Sequence, residues 1–177
     1  MMRTRKLIFV ALFAAITALF AQIVIPLPFS PVPVNLALLS LLLAGRLFGL
    51  KVAFFSQLLY ISLGALGLPV FTAMSGGFGV LLGPTGGYIW GYLAAALISG
   101  QRRFPKKSGL FSDGIVMSLS VLCCYLCGTL WYCLVSQTAV PAAVMVCVLP
   151  FLPGDLFKIA ANLYLVKKLA PLCKNRA

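Results

Sequence analysis

Histidine is absent from this chain of 177 residues, glutamate is absent too, and aspartate occurs only twice. No imidazole is available to move protons or to hold zinc, and a single acid at membrane depth has no nucleophile or base beside it. An enzyme is therefore not expected: no catalytic residue, no metal ligand and no cofactor is assigned. Charged residues make up 9% of the chain against 62% hydrophobic ones, too few to build a water-facing surface. No soluble domain is expected. Also missing is a small-residue cleavage site after the first apolar run, where Pro26, Pro28, Pro31 and Pro33 follow instead, so no cleaved leader is read. No Gly-Lys-Ser/Thr phosphate loop occurs, and ATP hydrolysis by this chain is excluded with it.

What is present is apolar sequence, in runs long enough to suggest lipid as the solvent. The first span runs from about Leu7 to Ile25, the second from about Asn35 to Leu43 and on towards Phe48, and the third from about Val52 to Leu66. The fourth runs from about Thr85 to Ser99, the fifth from Ile115 to Val135 and the sixth from about Leu152 to Leu169. The second, third and fourth fall short of the ~20 residues of a perpendicular crossing.

The net charge of +12 does not indicate nucleic acid, because the basic residues form short clusters between apolar runs and not one basic face. Arg3, Arg5 and Lys6 precede the first span; Arg46 and Lys51 separate the second from the third. Arg102, Arg103, Lys106 and Lys107 separate the fourth from the fifth, and Lys167, Lys168, Lys174 and Arg176 end the chain. Six crossings put all of these on one side, which the preference of basic loops for the cytoplasm makes the inside. The expected fold is all-α: residues 1–177 form a single integral membrane domain, a compact bundle of six transmembrane helices with both termini cytoplasmic.

Cys123, Cys124, Cys127 and Cys133 share the fifth span. Cys124-Tyr125-Leu126-Cys127 has the spacing of a redox or metal pair, but no second such pair and no histidine accompanies it. Cysteine as a small apolar residue is the simpler reading. Asp113, beside Ser112 at the start of the fifth span, reads as a helix N-cap.

Lys158 is the one basic residue outside the clusters, and it lies three residues after Asp155 within the sixth span. A charge at mid-membrane costs about 2.5–3.5 kcal/mol on insertion scales, so one that is kept faces a cavity or a partner. At i and i+3 the two share a helix face. Lys158 sits roughly 8 Å below the outer helix end marked by Pro153 and Gly154, at about 1.5 Å per residue. Either the two only neutralise each other, or they serve a ligand at a wet mouth.

Residues 67–84, an outer loop between the third and fourth spans, carry no charge and are rich in Gly, Leu, Val and Phe. Such a loop folds back on the protein more readily than it faces water, as a lid over a pocket. The glycines that follow allow close backbone approach, and Pro84 suits the first turn of the next helix, whose free N–H groups favour a carboxylate or polar ring. With Tyr88, Trp90, Phe71 and Phe78 available as apolar surface, a small, weakly hydrophobic acid bearing N–H donors fits these groups.

Several motifs then coincide: Tyr60-x3-Gly64-Ala65-x-Gly67-Leu68-Pro69-Val70-Phe71, Gly83-Pro84-Thr85-Gly86-Gly87-Tyr88, Pro31-Val32-Pro33-Val34, Leu43-Ala44-Gly45 and Pro153-x-Asp155-x2-Lys158. Together they resemble the BioY family, the biotin-specific substrate-binding subunits of energy-coupling-factor (ECF) transporters, over almost the whole chain. The resemblance implies capture of biotin at the outer face for ATP-driven import. It implies as partners an ECF transmembrane coupling subunit and two ATPase subunits. Asp155 and Lys158 carry over as polar ligands of biotin, with Asp155 expected at the ureido N–H groups and Lys158 at the carboxylate. Gly83, Thr85, Gly86, Gly87 and Tyr88 carry over as pocket wall, with Asn35 and Phe71 beside them. One departure stands out: the family usually shows Thr-Leu-Gln where this chain has Asn35-Leu36-Ala37, which removes an amide at position 37.

Ala11, Ala15 and Ala18 form a small-residue stripe on the first span, suited either to internal helix contacts or to a partner helix. In the resembled family a similar alanine motif contacts the coupling subunit. Gly45-x3-Gly49 and Gly87-x3-Gly91 read as internal contacts. A stand-alone secondary transporter of biotin or a related small acid, with Asp155 as proton site, is the alternative from a different class.

Overall fold

The computed structural model describes residues 4–25, 32–101 and 109–173. Arg3, Arg102, Arg103, Lys106, Lys107, Lys174, Arg176, Pro26, Pro28 and Pro31 lie outside them. The described chain is helical almost throughout. Helix α1 covers Thr4–Gln22, α2 Ala37–Phe48, α3 Leu50–Ala65, α5 Gly86–Ser99, α6 Leu110–Ser136 and α8 Leu152–Cys173. These lie where the apolar runs put the spans, with ends moved by a few residues. Two further helices, α4 at Phe78–Leu82 and α7 at Val140–Cys147, and a two-residue antiparallel pair, β1 (Val24–Ile25) with β2 (Val34–Asn35), were not expected. Both are too short to cross a bilayer by themselves: α4 stands in a connecting segment, and α7 runs on through a short 3-10 turn into α8.

Of the long helices, α1 and α6 are apolar and long enough to cross a membrane, as is the continuous stretch Val140–Cys173. Helix α2 is the centre of the bundle. Ala37 to Leu42 are buried in succession, as are Ala44, Gly45 and Leu47, because α1, α3, α5 and α8 all pack around it. Gly49, at φ 83°, lets the chain reverse from α2 into α3 without a loop. Helices α5 and α6 make the most intimate pair. A Cβ on Gly87 would collide with the Trp131 side chain, and one on Gly128 with the Tyr88 ring, so small residues set the approach of these two helices.

One end of the bundle carries Arg46, whose guanidinium donates to the Asp113 carboxylate and to the Gln101 carbonyl at 3.2 Å. This corrects the expected N-cap at Asp113. Helix α6 starts at Leu110, so Asp113 falls in its first turn and its side chain reaches across to α2. At the opposite end the connecting segments fold over a cavity.

Candidate functional site

The cavity encloses about 190 Å³ and is walled by the approach to α2, the turn after α3, and the facing sides of α5, α6 and α8. Each wall has a local reason. The period of α8 puts Asp155, Lys158 and Asn162 on its buried face. On α6 the same period brings Cys124 and Tyr125 inward. The turn after α3 is pinned by Phe71, whose ring lies where a Cβ on Gly64 would be and stands edge-on to Tyr60 at 5.5 Å.

Asp155 and Lys158 are each 4% exposed, although both line the cavity. The Lys158 ammonium donates to Asp155 Oδ1 at 2.6 Å, and the Tyr125 hydroxyl donates to Oδ2. The carboxylate is therefore held from α8 and α6 at once. The two readings left open by the sequence are not exclusive: the charges neutralise each other and also face a cavity. The ammonium spends one of three donors on Asp155, and the carboxylate retains acceptor capacity on both oxygens.

Other expected residues reach the same cavity. Asn35 lines it and donates to Thr72 Oγ1 at 2.9 Å, while its Oδ1 accepts from the Ala37 N–H at 3.1 Å and from the Tyr92 hydroxyl at 3.4 Å. Ala37 itself is fully buried in α2. Thr85, Phe71 and Tyr88 also line the cavity. The Tyr88 hydroxyl points away to the Cys147 carbonyl at 3.1 Å, which leaves the ring as the surface offered. Gly83, Gly86 and Gly87 are not brought onto this wall. The Gly83 carbonyl accepts the Trp131 indole N–H at 3.0 Å, Gly86 sits against the Leu81 carbonyl, and Gly87 against Trp131. They seat α5 and leave its next turn, from Tyr88, to face the cavity. Phe78 and Trp90 are exposed on the outside of the bundle. Ala11 and Ala15 lie on the outer face of α1 and Ala18 is half-buried, all apart from the cavity.

Tyr125, Tyr92, Thr72 and Ser75 join the site without having been singled out from the sequence. The signal for Tyr125 was present: a phenol inside a lipid-depth helix needs a hydrogen-bond partner, and one acid lies at that depth. Cys124 is buried on the cavity wall, and among the described residues no group of acids or cysteines is placed to hold a metal.

An apolar helix bundle enclosing a chamber with one fixed anion and one fixed cation defines an integral membrane protein built to hold a small solute. Comparison with known proteins sharpens this class: the chain belongs to the BioY family, whose model matches residues 1–175. A probable biotin transporter BioY from Pyrococcus horikoshii is 36% identical, over 95% of this chain and 98% of that protein. Another from Bacillus subtilis is 33% identical, over 96% and 92%. A crystal structure described as the S-component for biotin from an ECF-type ABC transporter superposes with a TM-score of 0.86 at 27% identity. It covers 96% of this chain and 94% of that one. The chain is a multi-pass membrane protein of this prokaryotic transporter family, not of an enzyme family.

Proposed function

We propose that this chain is the biotin-binding S component of an ECF-type uptake transporter, holding biotin at the outer face until partner subunits drive its import. The observation that carries the reading is the Tyr125–Asp155–Lys158 cluster on the wall of the cavity. A carboxylate and an ammonium 2.6 Å apart offer an acceptor and a donor side by side. A ureido ring presents the complement, N–H donors beside a carbonyl acceptor. The sequence reading placed Asp155 and Lys158 at opposite ends of biotin, but groups this close meet one end. Both therefore engage the ureido ring, and the valerate tail runs towards the mouth past Tyr88 and Phe71.

In this reading the six long helices all cross the membrane, with both termini in the cytoplasm and the Arg46–Asp113 end inside. Residues 67–84 are the lid. An ECF transmembrane coupling subunit, carrying two ATPase subunits, docks on Ala11, Ala15 and Ala18 of α1. The test is calorimetry of the purified protein with biotin, desthiobiotin, lipoate and thiamine. Saturable heat with biotin and desthiobiotin is expected, and none with thiamine. Binding of thiamine in preference to biotin would remove the assignment.

A further inference from the structure

The turn that closes the cavity is held from outside by one carboxamide. Gln22, the last residue of α1, donates through Nε2 to the Val70 carbonyl at 3.2 Å and to the Phe71 carbonyl at 3.0 Å. Its Oε1 accepts the Met74 N–H at 2.9 Å. Between these anchors the chain makes a tight turn, with the Phe71 N–H bonded to the Ser75 carbonyl at 2.9 Å. Ala73 and Met74, at φ 57° and 54°, are successive non-glycine residues in the left-handed region, a conformation that costs roughly 1–2 kcal/mol per residue. Burial does not repay the strain, because Ala73 is exposed and Met74 is 65% exposed. Yet Phe71, Thr72, Ala73 and Ser75 of this turn all line the cavity. A strained turn with little burial at its tip keeps its shape through its polar anchors. Gln22 supplies three of them, and Asn35 supplies a fourth through Thr72.

We propose that Gln22 is a positioning residue for ligand capture: its carboxamide clasps the 71–75 turn over the cavity, and the clasp sets how long a bound solute stays. The inference rests on the biotin-capture reading for its ligand, though not for the clasp itself. Gln22 does not itself line the cavity, so its effect passes through the turn. Both ends of the carboxamide are required. Glutamate in its place keeps an acceptor for Met74 but loses both donors and sets a negative charge against two carbonyl oxygens. Lowering the pH protonates that carboxylate and returns one donor.

The experiment follows biotin dissociation from the purified full chain by stopped flow, in wild type, Gln22→Ala and Gln22→Glu. Loss of two or three hydrogen bonds predicts release about tenfold faster for Gln22→Ala at all pH values and for Gln22→Glu at about pH 8. Release from Gln22→Glu alone should slow back towards wild type at about pH 4.5. Wild-type release rates in both variants at the higher pH would overturn the clasp. A second measurement needs no ligand: hydrogen–deuterium exchange of the segment 70–77 in the ligand-free protein. Exchange at Met74 should quicken in Gln22→Ala while that of α5 stays unchanged. Equal exchange in wild type and variant overturns the clasp even if the chain binds no biotin. Faster exchange with no biotin binding by wild type keeps the clasp and removes the ligand.

Discussion

At the scale of single residues, the site depends on the free energy of keeping charge in lipid. Asp155 or Lys158 alone would each cost about 2.5–3.5 kcal/mol at the bilayer centre. Together, with the Tyr125 hydroxyl on the second carboxylate oxygen, they satisfy each other and still present free donor and acceptor capacity to the cavity. Removing either leaves the other's charge buried without its counter-charge, which is the more damaging state. Asp155→Asn and Lys158→Ala are each expected to weaken biotin binding by at least about tenfold, about 1.4 kcal/mol, in the same calorimetric assay. The ureido orientation makes a finer demand. Converting biotin's carboxylate to an amide should change affinity by the same factor in wild type and in Lys158→Ala. If Lys158 instead held the carboxylate, amidation would cost wild type heavily and Lys158→Ala little.

At the scale of elements, what the sequence made legible was governed by burial in lipid. Apolar runs located α1, α2, α3, α5, α6 and α8 to within a few residues, because a helix satisfies its own backbone and so suits apolar surroundings. The short helices α4 and α7 obey no such constraint. Phe78–Leu82 reads as part of a glycine-rich loop, and Val140–Cys147 follows Gln137 in a left-handed conformation at φ 50°. Glutamine does not announce that break, although Pro141 in the first turn marks the new helix start. The site was legible where charge was involved, at Asp155 and Lys158. It was obscured where a residue acts through packing, as at Gly83, Gly86 and Gly87. Gly64 shows how packing can be read once the turn is known. Its missing Cβ admits the Phe71 ring, and its carbonyl accepts the Gly77 N–H at 2.6 Å. Gly64→Val should therefore expel Phe71 from its seat and lower stability by about 1–3 kcal/mol, the usual range for overpacking. Thermal unfolding in detergent should reveal this, with biotin affinity falling in parallel. An unchanged unfolding temperature with unchanged affinity would mean that the turn does not depend on that seat.

At the scale of the whole molecule, α1 faces two ways. Its inner side is fixed to α2 and α3 by a buried polar knot, in which the Thr17 hydroxyl meets Ser40 Oγ at 3.0 Å and accepts from Gln57 Nε2 at 3.1 Å. Such bonds are hard to exchange in a medium with no water. Its outer side leaves Ala11 and Ala15 exposed, and its last residue is bonded to the turn that lines the cavity. A partner helix drawn close to the alanine face would therefore press on the same rigid element that reaches the mouth of the site, about 10 Å away along the helix axis at 1.5 Å per residue. On the proposed function, binding of the solute needs only the inner side of the bundle, and delivery needs the outer side as well. Ala15→Trp, which adds bulk to the outer face alone, should leave calorimetric biotin affinity within about twofold of wild type. In vesicles holding the complete transporter it should sharply reduce ATP-driven biotin uptake, because the close helix approach that small residues permit is lost. Undiminished uptake by that variant would place the coupling contact on another face of the bundle, whereas loss of binding along with uptake would mean that α1 serves the cavity and not the partner.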